Sequence, residues 1–184
     1  VLAKKYNFDA ERPLFVGLQH PVTTKFEKPA AEIKEMLEAL VKKNNQTILV
    51  YPNNDPGSAE IIKVIHEYRK SNIFRIFKNL SYQDFLGIMS VADLMIGNSS
   101  SGIIEAASFR LPVINIGTRQ KGRERGKNVV DVSPNRDEIF KKIQYVMKNI
   151  EFRNKVRNCT NPYGNGKAKL KIVEILENTE LNEK

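Results

Sequence analysis

The chain has 184 residues, 41% hydrophobic and 28% charged, a composition typical of one globular domain and not of a disordered, fibrous or membrane-spanning protein. The 30 lysines and arginines outnumber the 21 aspartates and glutamates, for a formal net charge of +9, but they are spread along the chain without an RNA-recognition motif, so no nucleic-acid partner is predicted. The longest apolar runs fall far short of the ~20 residues that span a bilayer, and the single cysteine, Cys159, cannot form an internal disulfide, which favours a cytoplasmic location.

Short β-branched runs alternate with helical periodicity along the whole chain. Strands are predicted at 14–18, 47–51, 74–77, 94–97, 113–117 and 129–132. Helices are predicted at 30–43, from Ser58 to about 68, at 82–92, 100–110, 135–149 and 167–178. Apolar strands separated by helices indicate an α/β fold, a doubly wound, Rossmann-like parallel sheet. Residues 1–184 are expected to form one domain. Within it, residues 1–13 are expected to be an interdomain linker or a helix.

Two helices carry more detailed signals. The first is expected to bury a face with helical spacing, made of Ile33, Met36, Leu37, Leu40 and Val41. The second follows the turn PNNDPGS at 52–58, and Ser58 at the end of that turn is expected to be its N-cap.

Ligands of doubly wound sheets bind outside the carboxyl ends of the strands. The loops that follow the predicted strands are therefore expected to carry the functional residues. These loops are 19–24, 52–58, 78–82, 98–101 and 117–127.

The most specific of these loops is the run IGNSSSGIIE at 96–105, which leads from a strand into a helix. Hydroxyls and free N–H groups at a helix N-terminus bind anions, and Glu105 lies about 7.5 Å along the axis from Ser100. That spacing matches a nucleoside diphosphate, with its phosphates at the serines and its ribose at the carboxylate. The alternative is a serine-capped structural helix with a surface glutamate. The common ATP-loop and dinucleotide glycine motifs do not occur, which disfavours ATP and NAD.

Two further features could take part in chemistry. His20 follows the first strand, where an imidazole can move a proton or bind a phosphate; the alternative is a histidine that is merely hydrogen-bonded. His66 lies within a helix and is expected to be structural or solvated. The stretch 118–127 carries five cations and predicts a local anion site. Neither a catalytic triad nor a metal site is predicted from these residue types.

Four stretches of the chain carry a more specific signal. They are LQHPVTT at 18–24, YPNNDPGS at 51–58, ADLMIGNSSSGIIEAASFRLPVINIGTRQKGRERGKNVVDV at 92–132 and NPYGNGKA at 161–168. Together they resemble the carboxyl-terminal half of the UDP-N-acetylglucosamine 2-epimerases, and more narrowly the hydrolysing branch. The resemblance implies the second, UDP-binding domain of a two-domain B-type glycosyltransferase fold, whose active site lies in the cleft between the domains.

The resemblance also implies roles for seven residues of this chain. His20 would face the diphosphate and the sugar and assist the chemistry. Tyr82 stands where the family usually has Phe, beside the uracil. The other implied nucleotide contacts are Ser99 and Ser100 with the phosphates, Glu105 with the ribose, Arg119 with a phosphate or its loop, and, more weakly, Asn53. No metal and no other cofactor is implied.

The family reaction eliminates UDP from UDP-N-acetylglucosamine to give a 2-acetamidoglucal, and then adds water with inversion at C2. The products are UDP and N-acetylmannosamine, a precursor of sialic-acid-type sugars. The resemblance places the carboxylate acid/bases in an N-terminal domain outside this chain, which begins with Val1 rather than methionine. The 184 residues alone are therefore expected to bind UDP weakly without turnover. Separately, the full-length protein is expected to be a homo-oligomer. The alternatives are the UDP-sugar-binding half of a glycosyltransferase and a non-hydrolysing 2-epimerase.

Overall fold

Six parallel strands form the centre of the computed structural model, which describes residues 1–22 and 29–180. They are β1 (Leu14–Leu18), β2 (Gln46–Val50), β3 (Phe74–Phe77), β4 (Leu94–Gly97), β5 (Val113–Ile116) and β6 (Val129–Val132). Their order across the sheet is β3-β2-β1-β4-β5-β6, and each neighbouring pair is parallel. The order reverses between β1 and β4, which is the switch point of a doubly wound sheet. The predicted α/β class is confirmed.

Helices cover both faces of this sheet. They are α1 (Leu2–Tyr6), α2 (Pro29–Lys43), α3 (Ser58–Glu67), α4 (Tyr82–Val91), α5 (Ser101–Ile104), a 3-10 helix (Ala106–Phe109), α6 (Arg136–Lys148), α7 (Ile150–Arg157) and α8 (Ala168–Glu177). None of the helices in the described ranges is long and apolar enough to cross a bilayer.

The core consists of two layers because successive strand side chains point to opposite faces. Phe15 belongs to the layer that α2, α3 and α6 cover. Its neighbour Val16 belongs to the opposite layer, with Ile88 of α4. Burial of each such side chain stabilises the fold by roughly 1.5–3 kcal/mol, so the sheet is a rigid platform for the loops at its carboxyl edge.

Two predicted helices differ from the structure. The expected helix 100–110 is interrupted at Glu105, where α5 gives way to the 3-10 helix. Helix α7 was not predicted, although its signal is present in the sequence. Asn149 ends α6 and also caps α7, because its side chain accepts a hydrogen bond of 2.7 Å from the N–H of Phe152.

Two local predictions were also wrong, namely the N-cap of α3 and the burial of Val41. Gly57, with φ 95°, is the N-cap of α3, and Ser58 is already helical and donates its hydroxyl to the Asp55 carbonyl at 2.6 Å. The left-handed conformation of Gly57 closes the turn before Ser58 can act as a cap. Val41 is 42% exposed because the buried stripe of α2 is centred closer to Ala39, which is fully buried.

Helix α1 is attached to α4 through one carboxylate oxygen. Oδ2 of Asp84 accepts hydrogen bonds from Lys5 Nζ at 2.6 Å, from Tyr6 Oη at 2.7 Å and from Ser81 Oγ at 2.8 Å. These three donors, with the Lys5 ammonium first, lower the pKa of Asp84 to about 2. The segment 1–13 is thereby tied to the first turn of α4.

Asp84→Asn is expected to lower the melting temperature by a few degrees at pH 7. A carboxyl group whose folded-state pKa is depressed contributes stability above its ordinary pKa, and this stability is lost as the pH falls through the folded value. The difference between wild type and variant should therefore shrink between about pH 4 and pH 2. Thermal unfolding followed by circular dichroism at several pH values tests this, with Glu60→Gln as the surface control. A difference that does not change with pH would contradict the assignment.

Candidate functional site

The loops that follow β1, β2, β4 and β5 meet at the carboxyl edge of the sheet. His20 lies after β1 and contacts Asn53 in the loop after β2. Asn98 directly follows β4, and its side chain bonds to the backbone of His20. Arg119, after β5, reaches the Asn98 carbonyl at 3.3 Å and lies 3.9 Å from the Asp55 carboxylate. The structure thus brings together three of the predicted residues, His20, Asn53 and Arg119.

His20 is half-buried and its ring is fixed by the loop after β2. The backbone N–H of Asn53 donates to His20 Nδ1 at 3.0 Å, and the Asn53 side-chain oxygen lies 3.2 Å from the same nitrogen. Burial lowers the pKa of His20, and so does the Arg119 guanidinium, against the opposing effects of Asn53 and Asp55. Because the backbone N–H is a fixed donor, we assign Nδ1 as the acceptor of a neutral ring. The ring proton is then on Nε2, which can donate to an anion.

The loop after β4, residues 98–101, is called the serine turn here and offers backbone donors. Gly97 has φ +130°, and a Cβ there would lie 2.1 Å from the Leu18 carbonyl oxygen, so only glycine permits this path. Ser99 is buried, and its hydroxyl accepts a bond of 3.3 Å from the N–H of Ser101. The N–H groups of Ser99 and Ser100 donate to no other described residue. Adjacent free N–H groups of this kind form an anion-binding turn.

Ser100 and Glu105 do not behave as a serine cap and a surface glutamate. Ser100 occupies the N-cap position of α5 but makes no side-chain capping bond. The N–H of Glu105 donates to the Ser101 carbonyl at 3.0 Å, so Glu105 lies one helical turn after Ser101. Its carboxylate Oε2 is buried and has no hydrogen-bond partner among the described residues. A buried carboxylate oxygen without a donor is costly, which makes Glu105 a candidate to accept a hydrogen bond from a ligand hydroxyl.

The arginine-rich loop, residues 118–127, is held against the serine turn. Gln120 is fully buried and donates from Nε2 to the Asn98 carbonyl at 2.7 Å. Arg125 binds Asp131 and the Gln120 carbonyl at 2.7 and 2.9 Å, so it connects the loop to β6. The remaining cations of the loop are exposed and form no ion pair within the described chain: Lys121, Arg123 and Lys127.

The structure does not bring every predicted residue into this cluster. Tyr82 is the first residue of α4 and is 66% exposed, and its side chain makes no hydrogen bond or ring contact with another described residue. Thr23 and Thr24, at the end of the first predicted loop, lie outside the described residues. His66 bonds to Tyr51 and to Arg69 on the surface, in line with a structural role.

Three residues of the cluster were not singled out from the sequence, namely Asp55, Asn98 and Gln120. Each lies within a motif that carried the family resemblance, so the motif was the available signal. Their roles depend on contacts between distant parts of the chain: Asn98 bonds to a residue 78 positions away. Within the described ranges, no group of three or more His, Cys, Asp and Glu residues could hold a metal ion. The free N–H groups, the guanidinium and the imidazole instead suit a phosphate-bearing ligand.

Comparisons with known sequences agree with this arrangement. A family model described as UDP-N-acetylglucosamine 2-epimerase matches residues 2–177. The hydrolysing UDP-N,N'-diacetylbacillosamine 2-epimerase of Legionella pneumophila is 35% identical over 182 residues, which are 99% of this chain and 47% of that protein. The hydrolysing GDP/UDP-N,N'-diacetylbacillosamine 2-epimerase of Campylobacter jejuni is 37% identical over 147 residues, 78% of this chain and 38% of that protein. The chain thus spans half or less of the length of these curated relatives.

Solved structures share the fold. The UDP-GlcNAc 2-epimerase of Neisseria meningitidis bound to UDP-GlcNAc matches with a TM-score of 0.78 and 19% identity, over 97% of this chain and 48% of that chain. This likeness confirms the predicted architecture, one Rossmann-like half of a B-type glycosyltransferase fold.

Proposed function

The chain belongs to the UDP-N-acetylglucosamine 2-epimerase family, and on that premise we propose that it is the UDP-binding half of a hydrolysing 2-epimerase. The full-length protein would convert UDP-N-acetylglucosamine and water into N-acetylmannosamine and UDP. Residues 1–184 would supply the nucleotide site, and an N-terminal domain would supply the other wall of the cleft. We place the protein in the cytoplasm, which its single, free cysteine supports.

The observation that carries this proposal is the unpaired carboxylate oxygen of Glu105. It lies one helical turn from Ser101, beside the free N–H groups of the serine turn. In a bound UDP, the ribose hydroxyls would donate to Glu105, while the N–H groups of Ser99 and Ser100 would donate to the phosphates. Both halves of the ligand then satisfy groups that have no partner among the described residues.

His20 and Arg119 complete the diphosphate site. Arg119 carries a planar guanidinium that suits phosphate oxygens, and it is held in the half-buried position where it also lowers the pKa of His20. A neutral His20 with its proton on Nε2 is a hydrogen-bond donor rather than a base. We assign it to the diphosphate, where it would stabilise the negative charge that develops as UDP leaves. Asn53 keeps the ring in this orientation. The proposal also includes a contact of Asn53 with the nucleotide and a contact of Tyr82 with the uracil.

The reaction divides between the two domains. Removal of the C2 proton and cleavage of the bond from C1 to the diphosphate oxygen give UDP and a 2-acetamidoglucal. Addition of water then places hydroxyl on C1 and hydrogen on the opposite face of C2. The first step needs a base for the C2 proton and stabilisation of the leaving group. This chain would supply the stabilisation, and carboxylates of the N-terminal domain would supply the proton transfers.

Helix α8 offers a surface for that N-terminal domain. None of its residues is buried, and five apolar side chains are between 50% and 69% exposed: Leu170, Ile172, Val173, Ile175 and Leu176. A contiguous apolar surface of this kind is typical of an interface. Since the Legionella relative is about twice as long as the matched region, we assign this surface to contact with the N-terminal domain.

Arg119→Ala is expected to weaken UDP binding about tenfold or more, since hydrogen bonds to charged groups contribute ~1.5–3 kcal/mol. Lys121→Ala should have a smaller effect, which moderate salt should remove, because exposed charges are screened over ~10 Å at 0.1 M. Calorimetric titration of UDP at low and moderate salt measures both variants. Arg125→Ala serves as a control for loop structure, since Arg125 holds Gln120 and Asp131 in place. Equal, small losses for Arg119 and Lys121 would mean that the loop acts only as a diffuse positive field.

The products of the full-length protein test the proposed reaction. The assay supplies UDP-N-acetylglucosamine and, in parallel, UDP-N,N'-diacetylbacillosamine, because the relatives from Legionella and Campylobacter carry the second name. Free UDP together with a free 2-epimerised sugar supports the proposal, and the faster of the two reactions identifies the substrate. A 2-epimerised sugar still attached to UDP would identify a non-hydrolysing 2-epimerase. Sugar transfer to an acceptor without epimerisation would identify a glycosyltransferase.

A further inference from the structure

We propose that Asn98 is a positioning residue that holds His20 and the Arg119 loop in register at the carboxyl edge of the sheet. The inference rests on the function proposed above and adds a residue to which the family resemblance gives no role. Asn98 is fully buried. Its side-chain oxygen accepts from the His20 N–H at 2.7 Å, and its side-chain nitrogen donates to the His20 carbonyl at 2.9 Å. The amide therefore binds both backbone groups of His20.

The backbone of Asn98 makes the second set of contacts. Its N–H donates to the Leu18 carbonyl at 3.2 Å, which continues the pairing of β4 with β1 by one residue. Its carbonyl accepts from Gln120 at 2.7 Å and from Arg119 at 3.3 Å. One residue thus connects the loops that follow β1, β4 and β5, and these loops carry the histidine, the serine turn and the arginine.

Asparagine is suited to this position because the site needs a donor and an acceptor on one planar group. An aspartate would keep the bond from the His20 N–H, but its second oxygen would face the His20 carbonyl oxygen at about hydrogen-bond distance. Gly97 permits the arrangement, because its positive φ brings the start of the serine turn against Leu18. The sequence Gly97-Asn98 therefore defines the geometry of the junction.

The consequence for the reaction is orientation of the His20 ring. The ring is held on one side by the Asn53 N–H at Nδ1, and the backbone that carries the ring is held by Asn98. Without the amide, the His20 backbone loses two bonds and the ring can move away from the diphosphate. A displacement of about 1 Å in a catalytic group can cost roughly 10²-fold in rate.

The chain offers a matched control. Asn115 in β5 is also buried, with 2% exposure, and its side-chain nitrogen donates to Asp131 at 2.7 Å. It contacts neither His20 nor the serine turn by a hydrogen bond. Asn115→Ala should therefore remove a buried, hydrogen-bonded amide next to the site without disturbing the position of His20.

A double-mutant cycle on the full-length protein tests the proposal through kcat. We expect Asn98→Ala to lower kcat by about 10-fold to 10²-fold, and the double variant with His20→Ala to be about as slow as His20→Ala alone. Asn115→Ala combined with His20→Ala should instead show the product of the two single effects. Asn98→Asp, which keeps the side-chain shape, is expected to be slow in the same non-additive way and serves if the alanine variant does not fold.

Histidine-ring NMR of the full-length protein gives a readout that does not depend on turnover, and the signals of His20 are assigned by their loss in His20→Ala. In wild type, His20 is expected to titrate below its ordinary pKa, because it is buried beside Arg119, with Asn53 and Asp55 opposing. Asn98→Ala should move this pKa toward the ordinary value, and Asn115→Ala should not move it.

The function proposed for His20 and the positioning role proposed for Asn98 would be refuted by different results. A His20→Ala variant as active as wild type would refute the function proposed for His20 and this inference with it. A slow His20→Ala variant, combined with an Asn98 effect that multiplies and an unshifted His20 titration, would overturn the positioning role alone.

Discussion

His20→Ala is expected to lower kcat of the full-length protein by about 10²-fold or more, the range typical of a group that assists proton or charge transfer. The melting temperature should change little, since His20 is only half-buried and its backbone bonds to Asn98 remain in the variant. The effect should fall on the release of UDP, because the Nε2 proton is the part of the ring that is free to reach the diphosphate.

His66→Ala is the control for this result. His66 is a surface histidine bonded to Tyr51 and Arg69, so its loss should leave kcat within about twofold of wild type. If His20→Ala lowers kcat by less than a few-fold and leaves the melting temperature unchanged, His20 is a structural histidine and the proposed leaving-group role is wrong.

The pH dependence of kcat should have a defined sign on the acid side. Burial and the Arg119 guanidinium lower the pKa of His20, so the ring is neutral at pH 7. Protonation at lower pH would place a second N–H on Nδ1, facing the N–H of Asn53, and would break that bond. Activity is therefore expected to be lost as the pH falls below the ordinary histidine value of ~6.5. His20→Ala should lack this loss.

Glu105→Gln is the second substitution with a large expected effect. It should weaken UDP binding by about 1–3 kcal/mol, the range for hydrogen bonds to charged groups, or roughly 5-fold to 150-fold in Kd. The variant keeps the size of the side chain but removes the charge that the ribose hydroxyls would meet. Titration of UDP into wild type and variant measures the difference, with Glu60→Gln on the surface of α3 as the control.

Stability distinguishes this effect from a general loss of structure. Oε2 of Glu105 is buried and has no hydrogen-bond partner in the part of the chain that the structure describes, so removing its charge should not lower the melting temperature of the ligand-free protein. UDP should raise the melting temperature of wild type more than that of the variant, because a ligand stabilises in proportion to its affinity for the folded state. An unchanged affinity for UDP in the variant would remove Glu105 from the site.

The strands were predictable because their signal is local. Runs such as Leu94 to Gly97 are apolar and buried on both faces, and all six predicted strands are present to within one residue at their ends. The helix ends were less predictable. Asn149 is both the end of α6 and the cap of α7, so a single periodic stretch concealed a second helix, and at Ser58 the conformation of the preceding glycine determined the cap.

For the site, the sequence identified the residues better than it identified their partners. His20 was singled out from its place after a strand and Arg119 from the family resemblance, and the structure brings the two close together. Asn98 and Gln120 were missed because their importance lies in bonds between loops that are far apart in sequence. No local pattern distinguishes a buried asparagine that connects three loops from one that ends a strand.

The central claim is that the carboxyl edge of this sheet is a site for uridine diphosphate, and calorimetric titration with UDP and ADP tests it most directly. The serine turn and Arg119 would bind the phosphates of either nucleotide, so the comparison isolates recognition of the base. We expect UDP to bind the full-length protein and ADP to bind at least tenfold more weakly, with both affinities reduced in Glu105→Gln. Binding of ADP as tight as that of UDP, or binding of UDP that is unaffected by Glu105→Gln and Arg119→Ala together, would contradict the claim.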